Sequence, residues 1–486
     1  MDSRRYAILL ALALLAVVPF QGTRGLYETS EGRYAEVARE MRETGSYLEP
    51  TLDYRPHWAK PPLTYWAIAA GLALAGDDAW GVRAYNIAAF ALTVLAVAAI
   101  GAALWDAPTG WVAGLVYISS LFPAIGAASA TADTLLALWV TLAVLAYARA
   151  RRGARPRGWV CAMWLLFGIG FATKGPPALL PLLALIGFHV SARRPFRFAD
   201  PLGIALFVAA GAWWYALEIA RHPELARYFL GTEVVARNLS GDLHRNAQWY
   251  GPLVIYAPIL LAAPGWWVAD ALRIARRERL CSWRRLAEAA RSGTAAGLLL
   301  YWLAVPLVAF ALARSRLPLY LLPLYPAIAI AIARGIGLEP RAGAARARVH
   351  RVAACSIAVL IALKGVAAQV PSAKDATRVY REAARAAGSD ARFVLYREPK
   401  LHGFQFYAGR RAERLSATGS EPWADRSLDA ALADAEPARA YAIVARDALA
   451  PEIEALLRAK AILFTRVPLT GRSLFVIPRP SASAAH

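Results

Sequence analysis

Between Glu28 and Lys60 the sequence ETSEGRYAEVAREMRETGSYLEPTLDYRPHWAK gathers carboxylates, arginines, aromatics, a histidine and a lysine into one polar stretch between two apolar tracts. Two kinds of chemistry are open to such a set. A carboxylate can take the proton of an attacking hydroxyl, for about 10²- to 10⁴-fold in rate, and cations held ready at a departing phosphate stabilise the charge that develops there. Glu31 and Asp133 are the general-base candidates; Glu28 and Glu31 stand at or just before a predicted helix N-terminus, where the helix dipole favours the ionised form. Lys60 is the phosphate candidate. Pro61 and Pro62 fix the backbone behind it and open the next helix, so its ammonium is aimed.

The element that must position these groups is a helix from about Glu31 to Thr44, capped by Thr29 or Ser30 and ended by Gly45. Tyr34, Val37, Ala38 and Met41 recur along it as one apolar face, which leaves Glu36, Glu40 and Glu43, with Arg39 and Arg42, as a solvated, salt-bridged face.

The rest of the chain is mostly apolar. Of 486 residues 58% are hydrophobic and 18% charged, less charge than a soluble globular protein usually carries, so the expected fold is mainly α and polytopic in a membrane. The formal charge of +21 raises nucleic acid as a partner. The basic residues fall in short bursts between apolar runs, which excludes it in favour of membrane topology. Cys161, Cys281 and Cys355 are too scattered for a disulfide framework or a metal spacing. Eleven spans are expected, near 6–24, 84–105, 110–128, 133–148, 159–173, 176–191, 202–219, 252–270, 294–313, 318–334 and 352–369. The first is read as an uncleaved span rather than a signal peptide. The segment 63–76 is too short to cross and is expected at the interface.

With Arg4 and Arg5 inside, the arginine-rich loops 149–157, 193–197, 273–291 and 334–351 are all cytoplasmic. The N-terminus is then cytoplasmic and everything after about residue 370 lies outside. The outer loops carry Thr131 to Asp133, Thr173 to Pro177, Arg221 to Gly251 and Arg314 to Pro318. Lys60, Lys174, Arg237, Arg314 and Arg316 therefore sit on the side that cations usually avoid, which suits a lipid-borne phosphate; snorkelling or carboxylate pairing is the alternative for any one of them. Asp242 and His244 are a metal or substrate contact, or else a structural loop pair; Tyr320, Trp249 and Tyr250 are candidates to line a lipid cavity. Residues 1–370 are expected to form the membrane domain, with 25–83 as its first outer loop. Residues 371–480 then form a small α/β domain with strands near 393–396, 441–444, 462–465 and 474–477, and 481–486 a flexible tail.

Taken in order, EGRYAEVAREM, the run Trp58 to Trp66 (WAKPPLTYW), Thr131-Ala132-Asp133, Thr173-Lys174-Gly175-Pro176 and RSRLPLYLLPLYP at 314–326 resemble the bacterial 4-amino-4-deoxy-L-arabinose (lipid A) transferases, within the protein-mannosyltransferase-like C-type glycosyltransferases. The resemblance covers roughly 25–335. It implies a polyprenyl-phosphate-sugar donor, transfer with inversion at the outer face of the bacterial inner membrane, and a periplasmic domain after the last span. The acceptor is then a lipid A-like lipid, a glycan or a protein, and the chain is expected to act as a monomer. The resemblance makes Glu31 the second acid of an Asp-Glu pair, Lys60 the holder of donor phosphate and Asp133 an acid facing the same cavity. Arg33, Tyr34, Trp58, Lys174, Arg237, Arg316 and Tyr320 join them as substrate- or phosphate-binding residues. Ser30 stands where the first acid is expected, so Glu31 or Glu28 must replace it. A divalent ion is an optional cofactor. A lipid-linked sugar transporter is the competing reading, and it asks for symmetric halves or broken helices.

Overall fold

The computed structural model describes residues 1–153, 155–193, 197–229, 231, 246–262, 264–277, 282–337, 342–433 and 440–478. Among them six helices are long and apolar enough to cross a membrane: α4 (Ala79–Leu104), α7 (Ala132–Ala150), α9 (Pro201–Arg221), α10 (Ala295–Leu312), α11 (Pro318–Gly337) and the apolar part, Arg346–Gln369, of α12 (Ala342–Gln369). Two bent pairs pass the same test together, Ala107–Ser119 with Leu121–Ala127 (α5 and α6, 61°) and Gly251–Ala262 with Gly265–Arg277 (89°). Three of the eleven expected spans are shorter or less apolar than that: α1 (Ser3–Val17), α8 (Pro156–Lys174) and Pro176–Ser191. Glycines let these helices meet closely. Gly101 of α4 faces Gly110 of α5 so tightly that a Cβ on either would collide with the partner's backbone.

The polar stretch folds as the helix α2 (Ser30–Thr44), ended by left-handed Gly45 at φ 74. Thr29 makes no side-chain cap, contrary to expectation. A tight hairpin follows, with Thr51 facing Pro56 and Leu52 facing Arg55, and both turn residues, Asp53 and Tyr54, have positive φ, as a type I′ turn requires. Pro62 then leads into α3 (Leu63–Ala75), a shorter apolar helix.

After α12 come α13 (Ala376–Ala387) and a six-stranded sheet. Its strands are β1 (Arg392–Tyr396), β2 (Ala412–Ser416), β3 (Arg426–Ser427), β4 (Tyr441–Arg446), β5 (Thr465–Leu469) and β6 (Arg472–Ile477). The order is β3-β2-β1-β4-β6-β5, parallel from β3 to β4, with β6 antiparallel to both β4 and β5. β1 is buried along nearly its whole length and packs helices on both faces. The strand expected at 462–465 begins only at Thr465, because Ala461 takes a positive φ first. As β5 it is the sheet edge, the place where its Pro468 costs no ladder hydrogen bond. The seven-residue helix α14 (His402–Ala408) carries no sequence period long enough to announce it.

α14 lies on α2. Gly32 and Gly403 meet backbone to backbone, and a Cβ on Gly32 would strike the Gly403 amide. The polar stretch is also sewn to the chain after α12: Glu28 N donates to Lys374 O at 2.9 Å, Ala376 N to Leu26 O at 3.0 Å and Leu26 N to Thr377 Oγ1 at 2.9 Å. That cover explains why the expected solvated face of α2 is not solvated. Glu36 is 2% and Glu40 0% exposed. Glu36 pairs with Arg39, and Glu40 holds the hairpin through Thr51 Oγ1, Asp53 N and Tyr54 N at 2.7–2.9 Å. Of the three acids only Glu43, bound to Arg39 and to Arg410 of the sheet module, keeps a wet side.

Candidate active site

Glu31 is the most heavily engaged of the three candidate acids. Its Oε1 accepts from Arg83 Nε (2.8 Å) and Ala130 N (2.9 Å), and its Oε2 from Arg24 Nη2 (2.8 Å), Arg83 Nη2 (2.9 Å) and Tyr27 N (3.0 Å). Burial alone raises a carboxyl, but Arg83 and Arg24 outweigh it and hold Glu31 down at about 2. A group so committed has no lone pair left for a substrate proton. What it does is join elements: Arg83 spends its remaining donors on the carbonyls of Gln21, Arg24 and Gly25, so one ion pair ties the end of the first segment, α2, α4 and the loop ahead of α7. Arg24 and Arg83 went unnoticed in the sequence. An arginine near one end of an otherwise apolar helix was the available signal for Arg83.

Asp133 starts α7 just beyond that loop and is 6% exposed. Thr131 Oγ1 donates to its Oδ2 at 3.0 Å, and Lys174, from the end of α8, donates to its Oδ1. The same ammonium lies 4.7 Å from the Tyr320 ring centroid. Thr64 Oγ1 bonds Thr173 O at 3.1 Å, which fixes α3, and with it the Lys60-Pro61-Pro62 turn, against the α8 end that carries Lys174. Tyr34 packs its ring 5.4 Å from Tyr65, and burial raises its phenol to about 12.

Arg33, His57 and Lys60 form a second group, on the side of α2 near the sheet module. Lys60 Nζ donates to Ala59 O at 2.7 Å. Burial, then the neighbouring charges of Arg33, His402 and Lys60, hold the His57 imidazole at about 3, hence neutral at pH 7. Arg33 Nε and His57 Nε2 are both buried with no hydrogen-bond partner among the described residues. Two unpaired polar nitrogens beside a lysine are what an anion would satisfy.

Glu28 differs from the other acids. Its Oε1 accepts from Gly403 N at the α2–α14 junction, while Oε2 is buried with no hydrogen-bond partner among the described residues. Burial pushes this carboxyl up to about 8. It lines a cavity of about 630 Å³ together with Ser30, Glu31 and Thr131.

Other expected site residues are placed differently. Trp58 donates Nε1 to Glu218 Oε2 at 3.2 Å and lies 5.2 Å from the His222 ring, as packing against the end of α9. Arg316 is 4% exposed and braces two loops through Nη1 and Nη2 on the carbonyls of Asn246, Gln248 and Ala311, while its Nε is buried with no hydrogen-bond partner among the described residues. Arg314, Trp249 and Tyr250 are exposed. Arg237, Asp242 and His244 lie outside the described residues. A different trio could hold a metal ion: Glu49, Glu218 and His222 offer ligand atoms all within 4.8 Å of one another, and Glu218 is fully buried, its Oε1 3.5 Å from Arg221 Nη1 and without a hydrogen bond among the described residues.

Residues 59–215 match the family model described as dolichyl-phosphate-mannose-protein mannosyltransferase. The chain is 31% identical over 332 residues to the undecaprenyl phosphate-alpha-4-amino-4-deoxy-L-arabinose arabinosyl transferase 2 of Pseudomonas fluorescens (strain Pf0-1), covering 66% of this chain and 58% of that protein. It is 32% identical over 358 residues to the corresponding transferase of Pectobacterium carotovorum (strain PC1), covering 71% and 61%. The chain thus spans about three-fifths of the length of these curated relatives. Among solved structures it resembles ArnT from Cupriavidus metallidurans bound to undecaprenyl phosphate, with a TM-score of 0.77 at 19% identity and 100% of both chains covered. The oligosaccharyltransferase of Archaeoglobus fulgidus gives a TM-score of 0.54 at 12% identity over 99% of this chain and 74% of that one. At such identities the two likenesses speak for the fold.

Proposed function

On the premise that the chain is aminoarabinose-transferase-like and has a C-type glycosyltransferase fold, we propose that it transfers a sugar from a polyprenyl-phosphate donor to a cell-envelope acceptor at the outer face of the inner membrane, with inversion. The observation that carries this reading is the polar centre at one end of the apolar helices: Asp133 bound to Lys174 and Thr131 beside Tyr320, with Lys60, Arg33 and His57 across α2. Arg33 Nε and His57 Nε2, buried beside Lys60 with no hydrogen-bond partner among the described residues and placed where a lipid head group would come, suit a departing lipid phosphate.

In this proposal Lys60 and Arg33 hold the donor phosphate, and Lys174 with Asp133 orients the sugar beside Tyr320. The acceptor oxygen attacks the anomeric carbon, and the bond from that carbon to the phosphate oxygen breaks with its electron pair going to phosphate. Where the acceptor is a hydroxyl, its proton passes to Glu28 in its ionised form, which gains weight as pH rises toward about 8 and whose Oε2 has no hydrogen bond to give up first among the described residues. Where the acceptor oxygen is already a phosphate, no proton moves. Glu31 acts as a positioning residue, because Ala130, which it anchors, leads directly to Thr131 and Asp133. The six long helices, the two bent pairs and the three shorter apolar helices together support eleven crossings with the N-terminus inside and the sheet module, from about residue 371, outside. One chain carries every group invoked, so a monomer suffices. A divalent ion, if used, belongs at Glu49, Glu218 and His222, which would pin the first loop to the end of α9.

The test is a proteoliposome assay with a polyprenyl-phosphate-sugar donor and lipid A-like acceptors. Lys60→Ala and Asp133→Asn are expected to lower transfer by at least about a hundredfold; full transfer by both refutes the assignment. The break between α5 and α6 is a feature that transporters share. Donor translocation without transfer in the same vesicles is the result that favours that reading.

A further inference from the structure

The cavity of about 630 Å³ that Glu28 lines has two unlike walls. Leu121, Ala124 and Ile125 of α6 and Leu360, Leu363 and Ala367 of α12 make one of them apolar. Ile125 and Leu363, at its edge, are 47% and 50% exposed on helices of the membrane domain, so the gap between α6 and α12 faces lipid. The other wall holds Arg24, Glu28, Ser30, Glu31, Arg83, Thr131 and Lys364.

Lys364 is unexpected there. It sits on the membrane helix α12, where a cation is costly and needs a partner. Its ammonium donates to Val17 O at 2.6 Å and to Gln21 Oε1 at 3.4 Å, both neutral, and it meets no carboxylate among the described residues. Glu31 is already taken by Arg24 and Arg83. Three cations, Arg24, Arg83 and Lys364, thus face two acids, Glu28 and Glu31, of which burial holds Glu28 neutral, so positive charge is in excess at the head of an apolar slot.

We propose that this cavity seats the acceptor: an amphiphile with a phosphorylated head group that enters sideways between α6 and α12, leaves its chains against the apolar wall, gives its phosphate to Lys364 and turns its nucleophilic oxygen toward Glu28, Ser30 and Thr131. This rests on the transferase reading and deepens it. Thr131 is the link, since it lines the cavity and its hydroxyl bonds Asp133 of the donor side.

The experiment measures binding, so it does not depend on turnover. The full chain in phosphatidylcholine nanodiscs is titrated with lipid A and, separately, with its dephosphorylated form, for wild type, Lys364→Gln, Lys364→Arg and Ile125→Trp. Lys364→Gln is expected to weaken lipid A by about tenfold or more, with Lys364→Arg staying within a few-fold of wild type. The dephosphorylated form should bind all three alike, and Ile125→Trp, which plugs the lipid-facing gap, should weaken both ligands. Equal affinity of wild type and Lys364→Gln for lipid A overturns the proposal, and so does displacement of lipid A by millimolar inorganic phosphate with Ile125→Trp harmless, which marks a free-anion site. A wild type that binds lipid A through Lys364 and yet transfers no sugar refutes the transferase reading and leaves the cavity as a lipid site. In the transfer assay, Lys364→Gln raises the acceptor KM and spares kcat and the donor KM.

Discussion

Replacing Glu28 by glutamine separates stability from activity in opposite directions. In the folded chain this carboxyl is raised by burial from 4.5 to about 8, so between those two pH values it stays protonated when docked and ionises when the α2–α14 junction opens. The open state then binds fewer protons than the closed one, and docking weakens as pH rises from 4.5 to about 8, with the full cost present above. The gap is worth roughly 4–5 kcal/mol. Glutamine still accepts from Gly403 N through its carbonyl oxygen, but its amide finds no acceptor where Oε2 now has no partner, a loss of about 1–3 kcal/mol at every pH. The curves must therefore cross: Glu28→Gln is less firmly docked than wild type at pH 5 and more firmly docked at pH 9. Hydrogen exchange at the Gly403 amide reads this directly, and taking the variant-to-wild-type ratio at each pH cancels the intrinsic pH dependence of exchange. The ratio of protection should change by about 10³-fold across that range, while the variant transfers no sugar to a hydroxyl acceptor. A pH-independent ratio refutes the buried neutral carboxyl, and full hydroxyl transfer by Glu28→Gln refutes its role as proton acceptor.

Glu31→Gln leaves Arg83, which is 1% exposed, without its counter-charge. It should cost about 3–5 kcal/mol by thermal unfolding in detergent and cut transfer through a displaced Asp133; an active variant of unchanged melting temperature contradicts the positioning role. Gly403→Ala places a Cβ 2.7 Å from Ala376 Cβ and 2.8 Å from Glu28 Oε1, so the sheet module should loosen, as faster proteolysis of the 370–375 link. If Glu49, Glu218 and His222 hold a metal ion, a chelator should lower the melting temperature of wild type and leave that of His222→Ala unmoved.

Periodicity marked α2 and its apolar side correctly, and Gly45 marked its end, because both are local properties of the backbone. What covers the opposite side is not local. Glu36 and Glu40 looked like solvent-facing acids, yet Glu40 is taken by the hairpin that follows and α14, some 360 residues further on and too short to read from sequence, packs on the same helix. The motifs located Asp133, Lys174 and Tyr320, which the fold brings together although they come from three helices. They also drew attention to Trp58 and Arg316, whose side chains are spent on packing and bracing. The opposite error concerns Arg83 and Lys364. Each was absorbed into an apolar run or its flank, although a charged residue there is itself the signal.

The assignment of the working carboxylate changes for a related reason. Type and spacing made Glu31 and Glu28 equivalent candidates, three residues apart at one helix start. Packing divides them. Arg83 and Arg24 turn Glu31 into a permanent anion, the part of a fixed brace. Gly403 gives Glu28 one bond and its burial withholds the charge, so it alone of the pair can change protonation near neutral pH. Ser30 lies near it on the cavity wall, at the position where the family resemblance implies an acid. Restoring the acid tests this argument: Ser30→Asp should recover transfer to a hydroxyl acceptor in a Glu28→Gln background, with the rising limb of the pH–rate profile moved from near 8 toward the ordinary carboxylate range. No recovery, or a limb that stays near 8, places the proton acceptor elsewhere.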